Sequence, residues 1–217
     1  LGKGFVFQNK IKINNSKNFK LIPEEKTNKP LPFLPIWNKL TLKTANWIFY
    51  YLNCASNDYK EDDFTNVIFP FYGKEAYFKF FGKKGFYESQ LLISENKIED
   101  FFDEFNFIYK KLNPTISLFS FKNMRGKQEF LRFEDNKMCV TFDFINNNKN
   151  FLFMSEIDKI CVKLRITPSI IKDSRLSKKV VEQCYPEYFR FRDLLNTYDK
   201  RRIYKSEISQ RLEIWNI

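Results

Sequence analysis

Met138-Cys139-Val140-Thr141-Phe142-Asp143-Phe144 is the stretch that decides the fold. A strand's period of two sends Cys139, Thr141 and Asp143 to one face of a sheet and the apolar Val140, Phe142 and Phe144 to the other. Outward from it, Tyr87 to Ile93 and Ser117 to Phe121 read as strands. Glu129 to Phe133 reads as another, joined to 138–144 by a tight turn at Glu134-Asp135-Asn136-Lys137. Glu95 to Leu112 repeats apolar residues at helical spacing, with Ile98, Phe101, Phe102, Phe105 and Ile108 inward. Asn150 to Arg165 does the same through Phe153, Ile157, Ile160, Val162 and Leu164. The order strand, helix, strands, helix predicts an α+β fold: an antiparallel sheet flanked by helices, followed by a helical C-terminal segment.

Upstream, Phe5 to Ile13 reads as a strand. Pro23, Pro30, Pro32 and Pro35 make Asn14 to Leu40 a long extended loop. Leu42 to Cys54 is predicted helical, with Ala45, Trp47, Ile48, Tyr51 and Leu52 on its apolar faces. Asn57 to Thr65 is acidic and expected to be mobile, and Lys74 to Phe81 is a short aromatic helix stopped by Gly82.

Composition narrows the function classes. With 217 residues, 43% of them hydrophobic and 26 of them Phe, the chain holds enough apolar mass for one large domain and is not a disordered segment. The absence of histidine excludes Ser-His-Asp and Cys-His nucleophile systems within the chain, and with them a zinc site of the usual spacing. Cys54, Cys139, Cys161 and Cys184 lie far apart, without a CxxC pair, and read as buried or half-buried free thiols of a reducing compartment. Six glycines form neither a G-x-G-x-x-G nor a P-loop, so no nucleotide-phosphate cradle is visible. The net charge of +11 comes mainly from Lys in an Asn-, Ile- and Phe-rich background, which A/T-rich codons supply; nucleic acid is not an expected partner. A basic face also suits a membrane surface. No apolar run reaches membrane-spanning length and the first residues carry no signal-peptide pattern, which predicts a cytoplasmic protein, peripheral at the inner membrane face at most.

Lys172-Asp173-Ser174-Arg175 follows the apolar stretch from Ile166 to Ile171. Chain leaving a buried element with Lys and Arg at its end is one way to place cations in a site. The same residues also read as a helix start, with Asp173 or Ser174 as N-cap and the basic side chains solvated.

Taken with Cys184-Tyr185-Pro186, Tyr198-Asp199-Lys200 and Ser206 to Ile214, this tetrad resembles the C-terminus of flavin-dependent oxidases of the vanillyl-alcohol-oxidase superfamily. It is most similar to the decaprenylphosphoryl-ribose oxidase branch, which reads A-K-D-S-R, M-Y-P, D-P and S-D-x-x-R-R-L-E-L. Upstream, Phe80 to Phe86 resembles that family's Y-G-x-x-G-F, Tyr87 to Ile93 its L-Q-Y-Q-F-V-I, Phe119 to Lys122 its V-F-K strand end and Met138 to Phe144 its I-C-V-D-F strand.

The resemblance implies that residues 1–168 are part of a substrate (cap) domain and that residues 169–217 return to a flavin-binding domain not contained in this chain. On that expectation the chain is the C-terminal part of a larger enzyme, inactive alone, with FAD bound mainly by the missing part. The implied reaction is oxidation of a ribose 2-hydroxyl on a lipid-linked sugar to a ketone, which a partner keto-reductase then turns into an arabinose donor for the cell envelope. Lys172 matches the family lysine beside flavin and substrate, and is the expected catalytic and cofactor-binding residue. Lys122 and Gln90 match a lysine and a glutamine that face the sugar. Glu88 stands where the family has a first glutamine, and Thr141 where many members have a cysteine. Cys139, one step along the same face, is a substrate-side candidate that also reads as a small half-buried residue. Arg175 is expected in a structural ion pair with Asp173 or the C-terminal segment. An aldonolactone-oxidase-like enzyme is the nearest alternative, although that branch has a histidine-tryptophan motif this chain lacks. A non-catalytic basic binding domain descended from such an oxidase is the other.

Overall fold

A computed structural model of the protein describes residues 32–54 and 76–215. The strand expected at Phe5 to Ile13, the acidic stretch Asn57 to Thr65 and most of the proline-rich loop lie outside the described residues. The elements run α1 (Lys39–Cys54), α2 (Ala76–Lys79), β1 (Phe86–Ile93), a 3₁₀ turn (Glu95–Lys97), α3 (Ile98–Leu112), β2 (Ile116–Asn123), β3 (Met138–Ile145), α4 (Asn148–Leu164), β4 (Thr167–Pro168), α5 (Lys178–Cys184), α6 (Tyr188–Tyr198) and α7 (Glu207–Arg211). The four strands form one antiparallel sheet in the order β2-β3-β1-β4, flanked by helices.

The alternation in β3 sets the layers. Val140, Phe142 and Phe144 are fully buried and join Leu91 and Ile93 of β1 in a core closed by Phe101, Phe105 and Ile108 of α3 and by Phe153, Met154, Ile157 and Ile160 of α4. Aromatic rings fill it: Phe142 lies 4.9 Å from Phe119 and 5.4 Å from Phe105, and Phe153 meets Phe105 edge-on at 5.5 Å. Ile170, Leu176, Val181, Cys184, Tyr185, Tyr188, Leu212 and Ile214 extend the same cluster into the C-terminal segment. Two buried phenols tie that segment down, Tyr185 donating to the Pro168 carbonyl at 2.7 Å and Tyr188 to that of Leu212 at 2.6 Å.

Three expectations are corrected. Residues 129–133 form no strand: the ladder beside β3 is taken by β2, and Phe130 adopts a left-handed φ of 52° with its N–H donated to the Glu187 carboxylate at 2.6 Å. The 124–137 segment is therefore a loop tied to the start of α6 and not a hairpin arm. Cys54 is exposed, whereas Cys139, Cys161 and Cys184 are buried, and all four are free. Neither Asp173 nor Ser174 caps a helix; α5 begins later, with Ser177 at its N-cap.

Asn150, fully buried at the start of α4, closes the sheet end. Its amide donates to the carbonyls of Thr115 (3.1 Å) and Ile145 (2.8 Å) and accepts from the Thr115 N–H (2.9 Å). Asn150→Leu strips three backbone groups of their partners, and we expect a loss of about 3 kcal/mol. Urea unfolding of the variant against the parent, with unchanged m-value, measures it.

Candidate active site

The sheet face turned away from α3 and α4 carries three rows of side chains. Direct pairing across the strands gives Lys122–Cys139–Leu92, Ser120–Thr141–Gln90 and Leu118–Asp143–Glu88. Five of the expected site residues (Lys122, Cys139, Thr141, Gln90 and Glu88) thus share one face, placed there by the period of two.

Lys172 joins them from the turn after β4. Ser169 donates its N–H to the Gln90 carbonyl at 2.8 Å, and the Asp173 N–H returns to the Ser169 carbonyl at 3.2 Å, folding Ile170 to Lys172 over the edge of β1. Lys172 Nζ then donates to Glu88 Oε2 at 3.3 Å, while Gln90 Nε2 donates to Glu88 Oε1 at 2.9 Å. One carboxylate therefore bridges the ammonium and the amide. Beneath the turn, Arg175 is largely withdrawn from solvent: it donates to Asp173 Oδ2 at 3.0 Å, to both oxygens of Asp158, at 2.8 Å to Oδ1, and to the Met154 carbonyl at 3.2 Å. The expected ion pair with Asp173 is made, and Asp158 doubles it. Burial acts to lower the Arg175 pKa, but the Asp158 hydrogen bond and the Asp173 charge outweigh it and the guanidinium stays charged.

Asp143, and Tyr77, which spacing alone does not single out, complete the face. Tyr77 of α2 donates its hydroxyl to Asp143 Oδ2 at 2.8 Å and lies 3.3 Å from Ser117 Oγ. Asp143 is 4% exposed, and its pKa is pushed up to about 6 by burial, with the neighbouring Glu88 charge adding and the Tyr77 hydrogen bond and Lys172 charge opposing. The Tyr77 phenol is pushed well above its ordinary range, by burial first and by Asp143 second, so it remains a donor. Burial also raises the Cys139 thiol, despite Thr141 and the Lys122 charge. A thiol so placed is not a thiolate, which agrees with reading Cys139 as a small buried residue. Lys122, at the far end of the face, is exposed and has no ion-pair partner among the described residues.

The arrangement offers an amide, hydroxyls, a carboxylate and two ammonium groups on a shelf above a buried acid that titrates near neutrality, a donor and acceptor set suited to a polyhydroxylated or phosphorylated ligand. Recesses lined by Lys84 with 146–149, and by Arg165, Thr167 and Cys184 with their neighbours, include no residue of this face. Among the described residues no cluster of metal-ligating side chains occurs.

Among the described residues no run of open, left-handed glycines offers a cradle for the phosphates of a dinucleotide. Of the left-handed glycines, Gly82 has Pro35 at 3.0 Å from where a Cβ would stand and Gly126 is filled by the Glu134 side chain, leaving Gly85 alone open. A pyrophosphate cradle needs several successive free N–H groups. No protein-family model matches this sequence, and no curated protein matches it.

Folded Asp143 keeps its proton to higher pH than the unfolded chain, so its contribution to stability is complete below its ordinary pKa of 3.8 and is lost as pH rises through about 6. Asp143→Asn retains an acceptor for Tyr77 and removes the titration. Between about pH 4 and about pH 7.5 the stability difference should move in favour of the variant by roughly 2 kcal/mol, read from paired urea curves; equal curves at both pH values indicate an ordinary carboxyl.

Proposed function

We propose that this face is the substrate side of a flavin-dependent oxidase acting on a sugar hydroxyl, of the kind that oxidises the 2-hydroxyl of a polyprenylphosphoryl pentose. One observation carries the reading: the site residues that the resemblance implies, drawn from β1, β2, β3 and the Lys172 turn, converge on one face, with Lys172 and Gln90 joined through Glu88. In this proposal a flavin-binding part beyond the described residues or on another chain would hold FAD, which would supply the hydride acceptor.

Lys172 supplies positive charge at the flavin edge and near the reacting hydroxyl, where preorganised charge lowers the barrier most. Gln90 and Thr141 orient the sugar hydroxyls, and Lys122 meets a phosphate or sugar oxygen at the far end. Asp143, buried beside this shelf and titrating near 6, holds or releases a proton close to the working pH, with Tyr77 as its fixed donor. Glu88, which replaces a neutral amide of the family pattern, sets an anion beside the substrate and competes for the Lys172 charge. That pairing is also the observation that favours a non-catalytic binding domain, since it neutralises the cation the chemistry needs.

A preparation from source cells that retains a flavin-bearing partner should be yellow and oxidise a polyprenylphosphoryl ribose, whereas the purified chain with added FAD should not. Lys172→Ala in the yellow complex should lower kcat by about a hundredfold, and Glu88→Gln should change KM more than kcat. Full turnover by the isolated chain with FAD contradicts the division of labour. A colourless preparation, or a Lys172→Ala variant of normal rate, contradicts the oxidase reading.

A further inference from the structure

Helix α1 wears its apolar residues on the outside. Leu40, Thr44, Trp47, Ile48, Tyr51 and Leu52 stand at i, i+4, i+7, i+8, i+11 and i+12, a continuous stripe along one face of a helix. Leu40, Trp47 and Leu52 are 74%, 61% and 72% exposed; on the opposite side Leu42 is the buried one among the described residues of α1, with Phe49 beside it 51% exposed. Phe33, Leu34 and Ile36, just before the helix, are exposed too. A contiguous outward patch of this kind marks a surface that something covers.

The polar residues indicate what covers it. Residues 32–54 hold Lys39 and Lys43 and no acidic residue, in a chain of net charge +11. Both lysines are exposed, and Lys43 flanks the stripe. Tryptophan and tyrosine between aliphatic residues, bordered by lysine and free of anions, is the composition of a helix lying in the headgroup region of a bilayer. We propose that α1 docks on an anionic lipid surface, its stripe in the acyl boundary and its lysines at the phosphates.

The segment before the helix links that surface to the sheet face. Leu34 and Ile36 donate their N–H groups to the carbonyls of Lys79 and Phe80, at 3.1 Å each, and the Trp37 ring packs 5.9 Å from Tyr77, whose hydroxyl holds Asp143. The docking inference stands on the stripe and not on the oxidase chemistry. Failure of one leaves the other intact.

The test uses the full 217-residue chain and phosphatidylcholine vesicles with and without phosphatidylglycerol. Expected are co-sedimentation with the anionic vesicles, a blue shift of tryptophan emission that disappears in Trp47→Phe, and quenching of Trp47 by brominated lipid. Ile48→Lys with Leu52→Lys, both at exposed positions where the fold is not at stake, should weaken partitioning at least tenfold, and Lys43→Ala about fivefold. Three results overturn the proposal: no binding to either vesicle, binding that the stripe variant leaves unchanged, or a dimer in solution that the stripe variant dissociates.

Discussion

The largely buried guanidinium of Arg175 is the contact on which the rest depends. It lies between Asp173 and Asp158 and reaches the Met154 carbonyl, so one side chain fastens the 169–175 turn to α4. Arg211 adds a second tie, donating to the carbonyls of Leu176 at 2.6 Å and Asp173 at 3.4 Å. A buried charge held by two carboxylates is costly to strand, so the turn has one geometry. That geometry carries Lys172 over the edge of β1 to Glu88, making a polar cluster out of what would otherwise be a sheet face.

The cluster follows from the same alternation that builds the core. Each aromatic residue β3 sends into the helix layer leaves its neighbour on the opposite face, so the packing of Phe142 and Phe144 and the placing of Thr141 and Asp143 on the polar face are two results of one register. Burial on this face also accounts for Asp143, whose pKa it raises to about 6 against the opposing hydrogen bond from Tyr77.

How much of this was legible in the chain varies with distance along it. Strands β1, β2 and β3 and helices α3 and α4 follow from local periodicity, and so does the sharing of a face by Cys139, Thr141 and Asp143. The groups that escaped are those fixed by distant partners. Residues 129–133 have strand-like composition, but the Glu187 carboxylate, 57 residues on, takes the Phe130 N–H. Tyr77 meets Asp143 across 66 residues and sits in a helix too short to announce a face. Arg175 could be paired with its neighbour Asp173 from the sequence, whereas Asp158 appears only once α4 is packed. Cys54, with no pairing partner in the sequence, read with the other three as a buried or half-buried thiol, yet it is exposed at the end of a helix whose apolar stripe points outward.

The central claim is that side chains from three strands and the Lys172 turn act as one ligand site. It is tested most directly by amide chemical-shift mapping of the labelled chain during titration with ribose 5-phosphate. The account predicts saturable shifts concentrated at 88–90, 120–122, 139–143 and 169–173, diminished in Lys172→Ala. Shifts absent at saturating ligand, or gathered around the recess at Arg165 and Cys184 instead, would contradict it.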